Sequence, residues 1–150
     1  MAELKHKDSP EDTPRVLSLE LVSWEQGKVA EYKEVALLGV TVPWGEVEIF
    51  YGHIPTIFLL RPGLVRVHYP SAGRSPVREY FAISSGVMTV DGNQKAVILA
   101  PEFVTPRDVD EADIRGKIAE LEAQSFNSSI KERLAYENAR LLLCQLGEDH

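Results

Sequence analysis

The apolar and polar positions of this chain change their period once, near residue 105. Before that point, short segments alternate apolar and polar residues, as half-buried strands do. The clearest are Leu17 to Leu21 and Leu64 to Tyr69. Turn signals separate the segments at short intervals, which predicts an all-β sandwich of antiparallel strands. Further strands are predicted at 28–34, 35–42, 47–50, 78–83, 87–90 and 96–100.

After residue 105 the apolar residues recur at helical spacing. Thr105 and Pro106 predict a helix start, with a hydroxyl cap and proline at the first helical position. Ser129 and Glu132 have the spacing of a capping box for a second helix, which Gly147 would end. Two helices joined by a short loop should lie antiparallel. Their facing apolar stripes are predicted at Ile114, Ile118 and Leu121 in the first helix and at Ala135, Ala139, Leu142 and Leu146 in the second.

These patterns predict three regions: a flexible N-terminal arm at 1–15, a β-sandwich at 16–104 and an antiparallel helical hairpin at 105–147. The arm is polar, contains two prolines and has little to bury. It is too acidic for a mitochondrial transit peptide. A mitochondrial protein would therefore have lost its presequence, and otherwise the protein is bacterial.

Composition narrows the classes of function. The 150 residues, 44% hydrophobic and 26% charged, suit a soluble protein with one modest core. The net charge of -7 argues against nonspecific binding to nucleic acid or to an acidic membrane. Cys144, the single cysteine, cannot form an internal disulfide and is expected to be a small buried residue. No apolar run approaches the roughly 18 to 20 residues of a membrane span, so work at a membrane would need a partner.

Few residues suggest chemistry. His53 stands in a turn and could titrate or bind a metal, but the other histidines are remote in sequence, which favours a turn or interface role. Glu46 and Glu48 share one strand face and could form an acid–base pair, although a solvated strand edge is the favoured interpretation. The sequence predicts no catalytic residue, no cofactor and no metal site.

Several separated segments resemble, in order, the central-stalk subunit of F-type ATP synthases, which is called epsilon in bacteria and delta in mitochondria. The segments are Gly-Glu-Val-Glu-Ile at 45–49, Gly-His-Ile-Pro-Thr at 52–56, Leu-Arg-Pro-Gly-Leu-Val at 60–65 and the run at 80–90. The second and third are nearer to the mitochondrial form. The resemblance covers about residues 16–146 and therefore concerns the whole fold.

This resemblance implies a non-catalytic rotor subunit that couples the membrane c-ring to the gamma subunit. A mitochondrial member would also contact the small epsilon subunit. The implied location is the matrix side of the mitochondrial inner membrane or, alternatively, the cytoplasmic face of a bacterial plasma membrane. The implied c-ring contacts are Trp44, Gly45, Glu46, Val47 and Glu48, and the implied gamma contacts are Gly52, His53, Ile54, Pro55 and Thr56. Glu48 and Tyr51 depart from a glycine and a proline of the family pattern.

Some bacterial members of that family bind ATP through a motif like Ile/Leu-Asp-x-x-Arg-Ala. The matching segment, 109–114, keeps the aspartate at Asp110 but has Asp113 in place of the arginine, which predicts no ATP binding. The two matched apolar stripes favour a structural hairpin over an inhibitory one. A competing hypothesis is a free-standing β-sandwich module that binds a small molecule or a protein through the turn cluster at 70–76.

Overall fold

The computed structural model describes residues 15–70 and 75–148. Ten strands are followed by a 3-10 turn at Pro106–Asp108 and by two helices, α1 (Glu111–Glu122) and α2 (Ser128–Glu148). The predicted arm, apart from Arg15, and the centre of the predicted turn cluster lie outside the described residues. The strands are β1 (Leu17–Ser23), β2 (Gly27–Val35), β3 (Leu37–Val42), β4 (Gly45–Ile49), β5 (Thr56–Leu60), β6 (Gly63–Tyr69), β7 (Val77–Ile83), β8 (Gly86–Val90), β9 (Lys95–Ala100) and β10 (Phe103–Val104).

The described strands form two five-stranded sheets packed as a sandwich. Sheet A has the order β2-β1-β9-β8-β5, and sheet B has the order β10-β7-β6-β3-β4. All pairings are antiparallel except that of β1 with β9. In β1, fully buried residues alternate with half-buried ones, because every second side chain enters the core between the sheets. The predicted fold class, a β-sandwich followed by two helices, is confirmed.

Three strand predictions were incomplete, and one of the omissions is the two-residue strand β10. The apolar run 35–42 is not one strand: Val35 ends β2, and Ala36 N–H donates to the His68 carbonyl (2.8 Å) before β3 begins. The sequence does not reveal the break, because the residues on both sides of it, Val35 and Leu38, are apolar and fully buried. Strand β5 was not among the predicted strands. Its apolar residues lie on both faces, which hides the alternation by which half-buried strands are recognised.

The first helix begins later than predicted. The Thr105 hydroxyl donates to Asp108 Oδ2 (2.9 Å) within the 3-10 turn, and Asp110 caps α1 by accepting from the Ala112 N–H (3.0 Å). The start of the second helix also differs, because the Asn127 side chain accepts from the Ile130 N–H (2.9 Å) and α2 starts at Ser128. Several residues near each start could cap a helix, and tertiary packing decides which one does. At its other end α2 continues one residue past Gly147, to Glu148.

The helical hairpin lies on the outer face of sheet B. Its buried contact joins Ala82 of β7 to Tyr136, Ala139 and Leu143 of α2. In the predicted stripe, Leu142 is 46% exposed, and the sheet-facing position belongs to its neighbour Leu143. The difference arises because α2 must face both the sheet and α1. Ile114 and Ala139 are buried, whereas Ile118, Leu121, Ala135 and Leu146 are partly exposed.

Candidate interaction surfaces

Edge strand β5 of sheet A exposes a row of aliphatic side chains. Ile57 and Leu59 are 72% and 65% exposed on the same side of the strand. Their partners on β8 are Thr89 and the partly buried Val87. We call Ile54, Ile57, Leu59 and Val87 the β5 face. Large contiguous apolar patches are uncommon on protein surfaces and often mark interaction sites.

The segment 52–56 leads into the β5 face. Gly52 N–H donates to the Gln94 side chain (2.7 Å), and His53 N–H donates to the Phe50 carbonyl (3.2 Å). The ring of His53 lies 5.8 Å from the ring of Phe58, and its Nδ1 is 2.7 Å from the Ile54 carbonyl oxygen. These contacts hold the loop at the end of the sandwich where β8 turns into β9. Ile54, 72% exposed, projects from it.

The segment 44–48 starts at the opposite end of β4. Trp44 is 74% exposed in the β3–β4 turn, and Gly45 has φ +135°, a value that favours glycine. Glu46 and Glu48 point away from the core, and Glu48 Oε2 lies 3.5 Å from Arg66 Nη1. Val47 packs against the core. The five residues of β4 span about 17 Å, which separates this turn from the loop at 52–56.

Charged side chains attach the hairpin to the sandwich. Arg133 of α2 binds Glu102 through two hydrogen bonds of 2.6 and 3.1 Å, which raise the pKa of Arg133. Arg61 and Glu132 form a longer ion pair (3.7 Å). Arg133 also lies over the ring of Tyr136, 4.7 Å from its centroid. The start of α2 is thus held at the end of the sandwich that carries Trp44.

The ionisable residues of the hairpin entry serve local structure. Asp110 caps α1, and Asp113 pairs with Lys117 one turn later (3.3 Å). The part of the chain that the structure describes holds no group of three or more His, Cys, Asp or Glu side chains placed to ligate a metal. Among its described helices, none has the length and hydropathy of a membrane span.

Some surface residues were not found by sequence reasoning. Ile57 and Leu59 were missed together with β5, although an apolar residue at every position from Ile57 to Leu60 is a usable signal of a strand with two covered faces. Trp24 and Phe126, 62% and 74% exposed, lie in short turns. Nothing in the sequence indicates how turns that are far apart along the chain are placed relative to each other.

Comparison with known sequences identifies related proteins. The family model described as ATP synthase, Delta/Epsilon chain, beta-sandwich domain matches residues 16–106. The ATP synthase epsilon chain of Staphylococcus epidermidis is 31% identical over 126 residues, covering 80% of this chain and 90% of its own. That of Staphylococcus haemolyticus is 31% identical over 139 residues, covering 87% and 97%. A Psychrobacter epsilon chain is 37% identical over 81 residues, covering 54% and 55%.

Two solved structures have the same fold. A chain of the mitochondrial ATP synthase of Euglena gracilis superposes with a TM-score of 0.70 at 23% identity, covering 96% of this chain and 93% of that one. A chain from the central stalk and c-ring of the mitochondrial ATP synthase of Tetrahymena thermophila gives 0.58 at 12% identity, covering 85% and 96%.

Proposed function

Because the chain belongs to the ATP synthase delta/epsilon family, we propose that it is a non-catalytic rotor subunit of the central stalk, which couples the c-ring to the gamma subunit. The observation that carries the proposal is the exposed β5 face. The hairpin covers sheet B, whereas Ile57 and Leu59 of sheet A stay in solvent. An incomplete surface of this kind fits a subunit built into a larger assembly better than a free-standing module.

The gamma subunit is the proposed occupant of the β5 face. The loop at 52–56 runs directly into β5, so the predicted gamma contacts and the exposed aliphatic residues are continuous along the chain. Ile54, Ile57 and Leu59 provide apolar area for the centre of an interface. His53 keeps this loop in place through its contacts with Phe58 and Ile54.

The c-ring is the proposed partner at the other end of β4, through Trp44 to Glu48. Trp44 supplies apolar area, and Glu46 has no ion pair with any described residue, so it can pair with a basic group of the ring. Two packed sheets at interior density resist shear. A sandwich held by the ring at one end and by gamma along one face can therefore transmit torque without bending.

The location follows from the assembly. The subunit is proposed to be peripheral, attached to the membrane through its partners. The bacterial sequence relatives favour the cytoplasmic face of a bacterial plasma membrane. A contact with a small epsilon subunit applies only to a mitochondrial enzyme.

A charge-insertion experiment tests the gamma contact. The double variant Ile57→Asp, Leu59→Asp should remain folded, because both side chains are exposed, but it should not co-purify with gamma after co-expression. Val29→Asp is the matched control: Val29 is an exposed apolar residue at the opposite edge of sheet A, and this variant should co-purify normally. Normal co-purification of the double variant would refute the proposed contact. ATP hydrolysis by the purified chain alone would refute the non-catalytic role.

A further inference from the structure

Three turns that are far apart in sequence each expose an aromatic side chain. They are the β1–β2 turn with Trp24, the β3–β4 turn with Trp44 and the α1–α2 loop with Phe126. These side chains are 62%, 74% and 74% exposed. Single exposed apolar residues are ordinary on a protein surface. The position of these three relative to each other makes them informative.

The first link places Trp24 at the same end as the hairpin loop. The hydroxyl of Ser23, the residue before Trp24, donates to the Pro101 carbonyl (3.2 Å). The next residue, Glu102, binds Arg133 in the second turn of α2. Because α2 begins at Ser128, the loop that carries Phe126 lies at this end of the sandwich.

The second link places Trp44 there as well. Arg61 N–H donates to the Thr41 carbonyl (2.9 Å) near the end of β3, and the next turn along the chain contains Trp44. The guanidinium of Arg61 pairs with Glu132 in the first turns of α2 (3.7 Å). The three turns therefore lie at one end of the molecule, and ion pairs hold the hairpin loop beside the two sandwich turns.

The charge of this end indicates the kind of partner. Glu25, Glu46 and Glu122 border the three aromatic residues, and none forms an ion pair with another described residue. Of the described basic side chains here, Arg61 and Arg133 are already paired with carboxylates, and the single further cation, Lys131 in the first turn of α2, leaves the three unpaired carboxylates in excess. The end is thus aromatic and acidic. It would repel an anionic membrane or a nucleic acid and attract a cationic protein surface.

We propose that the three turns form one composite docking surface for a cationic protein surface, and that this surface is complete only while the hairpin lies on sheet B. The inference rests on the proposed function, in which the partner is the c-ring. Trp24, Trp44 and Phe126 are the apolar anchors, and the unpaired carboxylates set the charge complementarity. By linkage, binding of the ring stabilises the docked hairpin, and docking of the hairpin strengthens ring binding.

Binding of the full-length chain to its detergent-solubilised c-ring, measured by biolayer interferometry, tests the surface. Trp44→Ala and Phe126→Ala should each weaken binding about tenfold, as loss of an interface anchor does. Phe50→Ala is the control, because Phe50 is an exposed aromatic (51%) at the far end of β4 and its loss should leave ring affinity unchanged.

The coupling has its own test. Leu143→Ala loosens the hairpin from sheet B at a buried position within α2, away from the three turns. This variant should bind the ring severalfold more weakly, and adding ring to the wild-type chain should slow amide exchange in α2. Wild-type ring affinity in Leu143→Ala, with faster exchange showing that the hairpin is released, would overturn the coupling.

The outcomes separate this inference from the proposed function. If Trp44→Ala weakens ring binding and Phe126→Ala does not, the composite surface is wrong and the ring contact stands. If the wild-type chain binds gamma but not the ring, the ring part of both proposals fails. Tighter binding to vesicles containing phosphatidylglycerol than to the ring would replace the protein partner by a lipid surface and overturn the inference.

Discussion

At the scale of single residues, a buried ion pair lies within α2. Glu137 and Arg140 are 1% and 9% exposed, and Arg140 Nη1 donates to Glu137 Oε1 (2.6 Å). The second carboxylate oxygen of Glu137 has no hydrogen bond within the described structure and lies 3.6 Å from Arg133 Nε. A buried ion pair adds little net stability, but removing one partner leaves a desolvated charge behind.

We therefore expect Arg140→Met to lower the free energy of unfolding by about 3 kcal/mol. The double variant Glu137→Leu, Arg140→Met should recover most of that loss, because it removes both buried charges. Urea unfolding of the two variants and the wild type measures the difference. Equal destabilisation of the single and double variants would show that the pair is not acting through desolvation.

Two glycines give a matched pair of substitutions with opposite signs. A Cβ on Gly86 would lie 2.4 Å from the Leu99 carbonyl oxygen, a backbone atom of the neighbouring strand β9. A Cβ on Gly116 in α1 would meet nothing within 4 Å. Gly86→Ala should destabilise the protein by about 1–3 kcal/mol, and Gly116→Ala should stabilise it by about 0.5–1 kcal/mol through helix propensity. Thermal unfolding measures whether each variant is more or less stable than the wild type. A Gly86→Ala variant as stable as the wild type would contradict the close approach of β8 and β9.

At the scale of elements, one hydrogen-bonded cluster joins the two sheets. The hydroxyls of Tyr32 in β2 and Tyr69 in β6 both donate to the carboxylate of Glu79 in β7. The hydrogen bond from Tyr69 to Glu79 Oε1 is 3.0 Å long. The ring of Tyr32 also packs edge-on against Phe81 at 6.2 Å. Burial, and then the hydrogen bond to Glu79, raises the pKa of Tyr32 well above its ordinary value, and the same causes raise that of Tyr69. The cluster is therefore intact only while the phenols are protonated.

This cluster predicts a loss of stability in alkali. An unfolded tyrosine ionises near pH 10, so the stabilisation from a raised folded pKa is fully present below about pH 10 and is lost as the pH rises above it. Tyr32→Phe should cost about 1 kcal/mol at neutral pH, for one lost hydrogen bond, and should flatten the decline above pH 10. Urea midpoints at pH 8, 10 and 11 measure this. If the urea midpoint of Tyr32→Phe falls between pH 8 and pH 11 as steeply as that of the wild type, ionisation of Tyr32 is not a cause of the alkaline loss of stability.

At the scale of the whole molecule, two apolar clusters are stacked. The larger fills the space between the sheets, and the smaller lies between sheet B and α2. Buried members of the larger cluster come only from β1 to β9, so the sandwich core does not need the helices. The hairpin instead covers residues on the outer face of sheet B, including Leu64, Tyr80 and Ala82.

A chain shortened to end at Val104 should therefore fold. It should retain near-UV circular dichroism and cooperative unfolding, at reduced stability, and should bind the dye ANS because Leu64 and Tyr80 become exposed. The full chain is the control and should bind little dye at that face. Loss of cooperative unfolding in the shortened chain would mean that the hairpin is part of the folding unit.

The local order of apolar and polar residues was sufficient to predict the sandwich and the helical hairpin. The period of apolar residues changes from two to that of a helix near Thr105, and each period reports which face of an element is buried, whatever its partner is. The same order carries the motifs that relate the chain to its family. The contact residues for gamma and the c-ring stay predictions, because a sequence shows which residues a family shares and not what covers them.

Where several neighbouring residues could cap a helix or face the sheet, only the tertiary structure decided which one does. Asp110 rather than Thr105 caps α1, and Leu143 rather than Leu142 faces the sheet, because each choice depends on contacts with residues remote in sequence. The exposed β5 face was hidden because an apolar strand looks the same whether its second face meets this chain or another. Likewise, Trp24, Trp44 and Phe126 share one end because strand pairing and two ion pairs across the fold place them there, and no local pattern encodes such pairing.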